Sequence, residues 1–358
     1  MNKLKKIGKG TQSLSAAGLI LTVLIAAVPQ RPWAAARWQE ERFEFQQIHM
    51  GTRVRVILYA PDRIAAGKAA GEAFARIGRL DHVYSDYRND SELTRFVEAS
   101  GSGMQPVDPD LFQILNLAGL WARQTGGLFD VTMAPVVQLW RRARRTGELP
   151  DPARLREARQ LVDIRQLRLD PPTRRAELAR PGMRIDLGGI AKGYAAQEAI
   201  RVLTGNRIRS ALVAIGGDIA VSLPPPGESG WQVGVASLDG GGQLPSLFLS
   251  LREASVPTSG DAEQSVVING VRYSHIVDPR TGIGLQGRRS ATVVASDGAT
   301  SDVLATTLCI LGSDRGLRLV DRLAGSDPKL AAFYEEPALR ATSKRWKNHL
   351  ATLSASER

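Results

Sequence analysis

The second half of the chain, from Met183 onward, consists of short apolar runs separated by glycine-rich or polar turns. Runs of this length, bounded by turn residues, predict β-strands. Adjacent strands that are separated by short turns are expected to pair antiparallel. The pattern therefore predicts an α+β fold rather than a doubly wound parallel sheet. We predict strands at 183–187, 210–215, 231–236, 247–251, 265–268 and 290–295.

Helical periodicity fills most of the remaining chain. Between residues 64 and 85, apolar side chains recur at Ala70, Phe74 and Ile77, which is the spacing of one helix face. Segments 111–124, 190–203 and 302–311 also predict helices, 45–59 predicts one strand, and 141–180 is interpreted as a connecting insertion. No shift in composition marks an internal boundary, so we predict a single domain over 45–348, with mainly antiparallel sheets and flanking helices.

The N-terminus has the pattern of an export signal. Lysines within residues 1–9 precede an apolar run from Ala16 to Val28, and Ala34-Ala35-Ala36 follows. The run is short for a bilayer span. We predict a signal peptide over residues 1–36 and a periplasmic protein, with an uncleaved leader acting as a membrane anchor as the alternative. The chain's one cysteine, Cys309, is not in a lipoprotein signal.

The net charge and the small number of metal-binding side chains exclude further classes of protein. Residues 1–36 carry five basic residues and no acidic one, so cleavage lowers the net charge from +11 to +6. The one dense basic cluster, Arg141–Arg145, has no accompanying aromatic ladder, so we predict no nucleic-acid partner. We leave that cluster as a candidate contact with a membrane or a membrane-bound acceptor. One cysteine and four histidines argue against a Cys/His zinc site.

Two segments point to phosphate and metal chemistry. In residues 184–194, Asp186 precedes Gly188-Gly189, and a predicted helix with Lys192 in its first turn follows. Glycines and a helix N-terminus can cradle a phosphate, although a tight turn with a solvated Lys192 would look the same. Asp302 and Thr306 share one helix face and offer the oxygen ligands that Mg²⁺ prefers. Alternatively, Asp302 is only an acidic residue at a helix start.

Eight segments in one order resemble the FAD:protein FMN transferase family, formerly described as thiamine-biosynthesis lipoproteins. Departures are modest: Gly-Leu-Phe-Asp replaces the commoner Gly-Ala-Phe-Asp, Gly-Gly-Asp replaces Gly-Gly-Glu, and the lipoprotein cysteine of some members is missing. The matching segments are Met50-Gly-Thr52, Tyr87–Leu93, Thr125–Asp130, Asp186–Tyr194, Gly216–Asp218, Thr258–Asp261, Tyr273–Gly282 and Ala299–Thr306.

The resemblance implies the family's α+β architecture and the transfer of FMN from FAD to a threonine or serine hydroxyl of an acceptor flavoprotein, with release of AMP. It also implies one Mg²⁺ and FAD as substrate. The residues expected to bind FAD are Met50, Tyr87, Leu128, Phe129, Asp130, Asp186, Lys192 and Ile276. The residues expected to hold Mg²⁺ are Gly189 and Ala305, through their carbonyls, with Asp302 and Thr306.

The attacking hydroxyl needs a proton acceptor. His275 is our first candidate and Asp278 our second, and a phosphate oxygen is the alternative to both. The same site would also suit an FAD pyrophosphatase that uses water and yields FMN and AMP, or a non-catalytic FAD-binding protein. A pure binder would not need Asp302 and Thr306, which argues against the binding protein, whereas the same metal and phosphate groups would serve the transferase and the pyrophosphatase alike.

Overall fold

The computed structural model of the protein describes residues 40–235, 238, 245, 247–260 and 264–351. The predicted signal peptide, residues 1–36, lies outside them, and so does Asp261. The described residues belong to one compact unit. Within these ranges no helix has the length and apolar character that a bilayer crossing requires.

The described chain contains seven α-helices, three short 3-10 helices and sixteen strands. The helices are α1 (Arg63–Tyr84), α2 (Glu92–Glu98), α3 (Pro109–Gln124), α4 (Ala134–Thr146), α5 (Pro152–Gln160), α6 (Ala191–Gly205) and α7 (Gly298–Leu323), with 3-10 turns at Val131–Met133, Ile164–Gln166 and Trp346–His349. The strands are β1 (Glu41–His49), β2 (Thr52–Ala60), β3 (Gln105–Pro106), β4 (Leu167–Asp170), β5 (Arg175–Leu178), β6 (Ala211–Ile215), β7 (Asp218–Val221), β8 (Trp231–Val235), β9 (Leu247–Leu251), β10 (Ala254–Gly260), β11 (Ser265–Ile268), β12 (Val271–Asp278), β13 (Ile283–Gln286), β14 (Ser290–Val294), β15 (Ala331–Glu336) and β16 (Leu339–Thr342).

The central sheet has eight strands in the order β1-β2-β6-β7-β10-β14-β15-β16. Each neighbouring pair in it is antiparallel. Smaller sheets are formed by β11-β12-β13, β3-β5-β4 and β8-β9. The antiparallel α+β fold predicted from the short strands is confirmed.

The central sheet is buried on both faces, as the alternation along β2 illustrates. Val56 and Leu58 point into the main core with helices α1, α6 and α7, whereas Ile57 points to the opposite face. There the β8–β9 hairpin covers the sheet and contributes Trp231. Because successive side chains of a strand alternate between faces, a strand buried on both faces is apolar at nearly every position.

Two strand predictions are wrong in an instructive way. Segment 45–59 is not one strand but the β1–β2 hairpin, whose turn residues Met50 and Gly51 have φ of 51° and 69°. Left-handed conformations at both positions suit a tight hairpin, but Met-Gly is a much weaker signal than Asn-Gly. Segment 183–187 is extended and alternately buried, yet it forms no strand. Its Asp186 N–H donates instead to the Val131 carbonyl, 2.7 Å away.

Two further predictions are corrected by the helices. The supposed insertion 141–180 holds the end of α4, all of α5 and strands β4 and β5. With β11–β13, helices α4 and α5 form a small core around Trp140, whose indole N–H donates to the Gly282 carbonyl at 2.8 Å. Helix α7 begins at Gly298 and is capped by Asp297. Asp302 is therefore one turn inside the helix and not its cap.

Candidate functional site

Helices α6 and α7 cross at two glycines, and this close contact forms the floor of the site. A Cβ built on Gly193 would stand 2.1 Å from the carbonyl oxygen of Gly298 and 2.9 Å from the Cβ of Asp302. Only glycine permits this separation of the two backbones. The contact places Lys192, in the first turn of α6, beside Asp302 on α7.

Three charged side chains meet on this floor. Lys192 donates a hydrogen bond to Asp218, which the Gly216-Gly217 turn between β6 and β7 delivers to the site. Asp302 accepts a hydrogen bond from the Gly193 backbone N–H at 3.3 Å. Burial, followed by repulsion from Asp218, raises the pKa of Asp302 to about 8, while Lys192 acts in the opposite direction. The floor thus holds two nearly buried carboxylates and one ammonium group, so a further cation would balance its charge.

The donors around Asp302 suit a hard cation. Thr306 follows one turn later on α7, with its Oγ1 3.4 Å from the Oγ of Ser259. A Cβ on Gly189 would lie 3.3 Å from Thr306 Oγ1, so the backbone of Gly189 approaches this hydroxyl closely. The described residues hold no group of three or more His, Cys, Asp or Glu arranged for a metal. The donor set is thus one carboxylate with hydroxyl and carbonyl oxygens, which fits Mg²⁺ and does not fit zinc.

The rim of the site carries a second charged cluster, centred on Arg141 of α4. Its guanidinium bonds Asp86 and donates to Asp186 Oδ2 at 2.8 Å, and it lies 5.0 Å from the centre of the Tyr87 ring. Burial raises the pKa of Asp186, and Arg141 counteracts that rise. The Tyr87 side chain is 78% exposed, so its ring stands at the mouth of the cavity.

Arg144, one turn beyond Arg141, also lines the cavity. Its Nη1 is buried and has no hydrogen-bond partner within the described chain. Burial, together with repulsion from Arg141, lowers its pKa. Because a buried, unsatisfied donor is costly, an anionic oxygen of a ligand would be stabilised here.

Residues Leu128, Phe129 and Asp130 form one wall. The Phe129 N–H donates to Thr125 Oγ1 at 3.1 Å, which fixes the turn after α3. Asp130 accepts from the backbone N–H and hydroxyl of Thr132, at 2.7 and 2.6 Å. Burial raises the pKa of Asp130. Its carboxylate is therefore occupied in holding this wall.

The two candidate proton acceptors lie in different places. His275 lines the cavity, and its Nδ1 lies 3.1 Å from the Gln264 carbonyl oxygen. Asp278 is not among the lining residues and is held by Arg280, with Nη2–Oδ2 of 2.6 Å. Burial works to raise the pKa of Asp278, but the hydrogen bonds from Arg280 prevail and the pKa lies below its usual value. The geometry favours His275.

The structure brings most of the predicted site residues into one cavity of about 460 Å³, a volume typical of ligand pockets. Three predicted site residues are not among its lining residues: Asp278, the fully buried Ala305, and Met50. Met50 lies in the β1–β2 turn, where its N–H donates to Asp81 Oδ2 at 2.8 Å. The predicted residues that line the cavity are Tyr87, Leu128, Phe129, Asp130, Asp186, Gly189, Lys192, His275, Ile276, Asp302 and Thr306.

Three charged residues at the site were not predicted from the sequence: Arg141, Arg144 and Asp218. The first two were interpreted as part of a basic surface cluster, whereas both line the cavity and only Arg142 and Arg145 are exposed. Helical periodicity could have found them, because Trp140 and Ala143 mark the buried face of α4. The Gly-Gly-Asp turn that contains Asp218 is one of the segments that resemble the family, but only the fold shows that Asp218 lies near Asp302.

The fold is antiparallel α+β, and its cavity joins a carboxylate–ammonium floor to an arginine-bearing rim. The family model described as the ApbE family matches residues 50–333, and the chain belongs to this family.

Individual relatives agree with this assignment. The chain is 34% identical to the FAD:protein FMN transferase of Treponema pallidum, over 78% of this chain and 82% of that protein. It is 29% identical to one from Klebsiella pneumoniae, over 76% and 84% of the two chains. Among solved structures, the ApbE protein of Thermotoga maritima superimposes with a TM-score of 0.78 at 26% identity, covering 87% of this chain and all of that one.

Proposed function

We propose that this protein transfers FMN from FAD to a serine or threonine hydroxyl of an acceptor flavoprotein and releases AMP. The observation that carries the proposal is the floor, where Asp302, Asp218 and Lys192 meet beneath a cavity of ligand size. The names of the relatives, FAD:protein FMN transferase, support it.

One Mg²⁺ would be held by Asp302, Thr306 and the carbonyl of Gly189, which line the cavity, whereas Ala305 does not. When bound, it neutralises charge on the FAD pyrophosphate and thereby lowers the barrier to phosphoryl transfer. Burial and the neighbouring Asp218 raise the pKa of Asp302, and a cation beside this carboxylate would offset that rise by favouring its ionised form.

The protein's own groups orient the two reactants. In the reaction, the acceptor hydroxyl oxygen forms a bond to the FMN phosphorus, and the bond from that phosphorus to the bridging oxygen breaks. AMP leaves with the electron pair of that bond, and the hydroxyl proton passes to a base. Lys192 and Arg144 both line the cavity and would supply positive charge for the pyrophosphate oxygens.

His275 is the proposed base. A carbonyl oxygen only accepts hydrogen bonds, so the bond to Gln264 requires a proton on Nδ1. The neutral ring then carries its lone pair on Nε2, which is the nitrogen that would accept the hydroxyl proton. Asp278, held by Arg280, is the less suitable group.

The decisive experiment is a denaturing gel after incubation with FAD, Mg²⁺ and a candidate acceptor domain. We expect flavin fluorescence that remains on the acceptor after denaturation, with one AMP released for each flavin attached. Free FMN with AMP and an unlabelled acceptor would instead indicate the pyrophosphatase. Bound but unchanged FAD would indicate a non-catalytic binding protein.

We also propose export to the periplasm through cleavage of a signal peptide at about residue 36. N-terminal sequencing of the protein recovered from cells tests this proposal. A retained Met1 would favour the alternative of an uncleaved membrane anchor.

A further inference from the structure

An arginine-lined groove adjoins the candidate site. It has a volume of about 470 Å³, and its lining contains no aspartate or glutamate. The residues that line it are Arg123, Gln124, Thr125, Gly126 and Leu128 from the end of α3 and the turn after it, with Leu311, Arg315, Arg318, Leu319 and Arg322 from α7.

Most of the positive charge in this groove is not neutralised. Arg318 pairs with Asp314 one turn away on α7. The side chains of Arg123, Arg315 and Arg322, all exposed, form no hydrogen bond or ion pair with any described part of the chain. Arg315, Arg318 and Arg322 are spaced three and four residues apart and so share one face of the helix.

A groove on the other side of the same turn provides an internal comparison. It shares Arg123 with the first groove, and each of its three other arginines has a partner. Arg165 pairs with Asp163, Arg280 pairs with Asp278, and Arg180 donates to the Gln160 carbonyl at 2.5 Å. Within the described chain, the second groove thus has one arginine without a partner, Arg123, whereas the arginine groove has three, Arg123, Arg315 and Arg322.

The arginine groove borders the cavity. Leu128 lines both, and Ile310 of the cavity precedes Leu311 of the groove on α7. Gly312, with φ 75° and ψ 179°, interrupts the helix just after these residues. One half of α7 therefore carries Asp302 and Thr306, and the other half carries the groove arginines.

We propose that this groove receives an acidic segment of the acceptor protein, which positions the target hydroxyl over Leu128 for transfer. The identity of the occupant rests on the proposed function, because a transferase must hold its protein substrate beside the cavity mouth. Three unpaired guanidinium groups without a carboxylate among them are complementary to a run of Asp or Glu. The apolar side chains of Leu128, Leu311 and Leu319 would contact the backbone and apolar atoms of that segment.

The test compares two charge-reversed double variants of the full chain. R315E/R322E alters the groove, whereas R63E/R209E makes the same charge change elsewhere. Arg209 precedes β6 and Arg63 follows β2, at the end of these strands opposite to the cavity-lining Gly217. R315Q/R322Q removes the charge without reversing it, and it replaces R315E/R322E in the test if that variant does not fold. Thermal melts check folding in each case.

Two quantities are measured at low salt: the affinity for a fluorescent deca-glutamate peptide, and the KM for an acceptor domain in FMN transfer. We expect R315E/R322E to weaken peptide binding and raise the acceptor KM about tenfold, with the KM for FAD unchanged, and R63E/R209E to remain within about twofold of wild type. The differences in peptide affinity and acceptor KM between the two double variants should become smaller as the salt concentration is raised.

Equal effects of the two double variants would overturn the proposal, since they would indicate only net charge. Lost binding to phosphatidylglycerol vesicles with unchanged peptide affinity would overturn it in favour of a lipid surface. If the wild-type chain attaches no flavin to the acceptor, the proposed function fails, and the identity of the occupant fails with it. Normal transfer by the wild type together with an unchanged acceptor KM in R315E/R322E would overturn the groove alone.

Discussion

The floor and the rim of the cavity differ in how deeply their charged groups are buried. On the floor, Asp302 and Asp218 are 3% and 2% exposed and are fixed on a long helix and a tight hairpin of the central sheet. At the rim, Arg141 joins three separate segments, because it lies on α4 and contacts Asp186 and the adjacent pair Asp86 and Tyr87. Each cluster sets two carboxylates against one cation, but the floor carboxylates are almost fully buried, whereas Asp86, Arg141 and the ring of Tyr87 are partly or largely exposed. This difference suggests that the floor carries the chemistry and the rim controls binding.

The largest expected effect comes from the floor. Asp302→Ala should reduce FMN transfer about a thousandfold or more, because it removes the one carboxylate of the proposed Mg²⁺ site. Transfer is measured as denaturation-resistant flavin on the acceptor. Asp297→Asn is the matched control, because Asn also caps a helix well and Asp297 begins the same helix. Full activity of Asp302→Ala would refute the metal assignment.

The second-largest effect is expected at the contact between α6 and α7 that forms the floor. Gly193→Ala places a methyl group against the Gly298 carbonyl, so α6 and α7 must separate. We expect a loss of about 3 kcal/mol in the free energy of unfolding and a fall in transfer of about a hundredfold, since Lys192 shifts relative to Asp302. Gly205→Ala, at an uncrowded position of α6, should change stability by less than about 1 kcal/mol. Denaturant titrations of both variants would reveal whether the helix contact matters.

At the rim, Arg141→Gln should have a pH-dependent effect on stability. Burial raises the pKa of Asp186 in the folded state, so stability falls as the pH rises from the unfolded value near 4 through the folded value. Arg141 opposes this rise, and its loss moves the folded pKa higher. The decrease in Tm caused by the substitution should therefore be larger at pH 8 than at pH 5, reaching roughly 5 °C. Equal decreases in Tm at the two pH values, measured in parallel thermal melts, would contradict this explanation.

The smallest effect is expected at the exposed ring. Tyr87→Ala removes a surface on which a planar ring of FAD could stack, so the KM for FAD should rise about three- to tenfold while kcat is kept. Tyr87→Phe retains the ring and should bind FAD like the wild type. A fall in kcat with unchanged KM for FAD would instead place Tyr87 in the chemical step.

The sequence predicted the floor better than the rim, for physical reasons. Asp302 and Thr306 lie four residues apart on one helix, so their shared face follows from local periodicity alone. The rim depends on tertiary contacts between α4, the loop after α1 and the segment before α6, and nothing local pairs Arg141 with Asp186. The antiparallel sheet was predictable from short connections, but the hairpin at Met50-Gly51 was missed because its turn lacks the usual Asn-Gly.

The central claim is that the floor carries out transfer while the rim controls binding. The most direct test measures FMN transfer to an acceptor domain at saturating FAD and Mg²⁺, with the wild type, Asp302→Asn and Tyr87→Ala side by side. The account predicts that Asp302→Asn leaves the acceptor without covalent flavin, whereas Tyr87→Ala labels it at nearly the wild-type rate. Wild-type labelling by Asp302→Asn, or an equal loss in both variants, would contradict it.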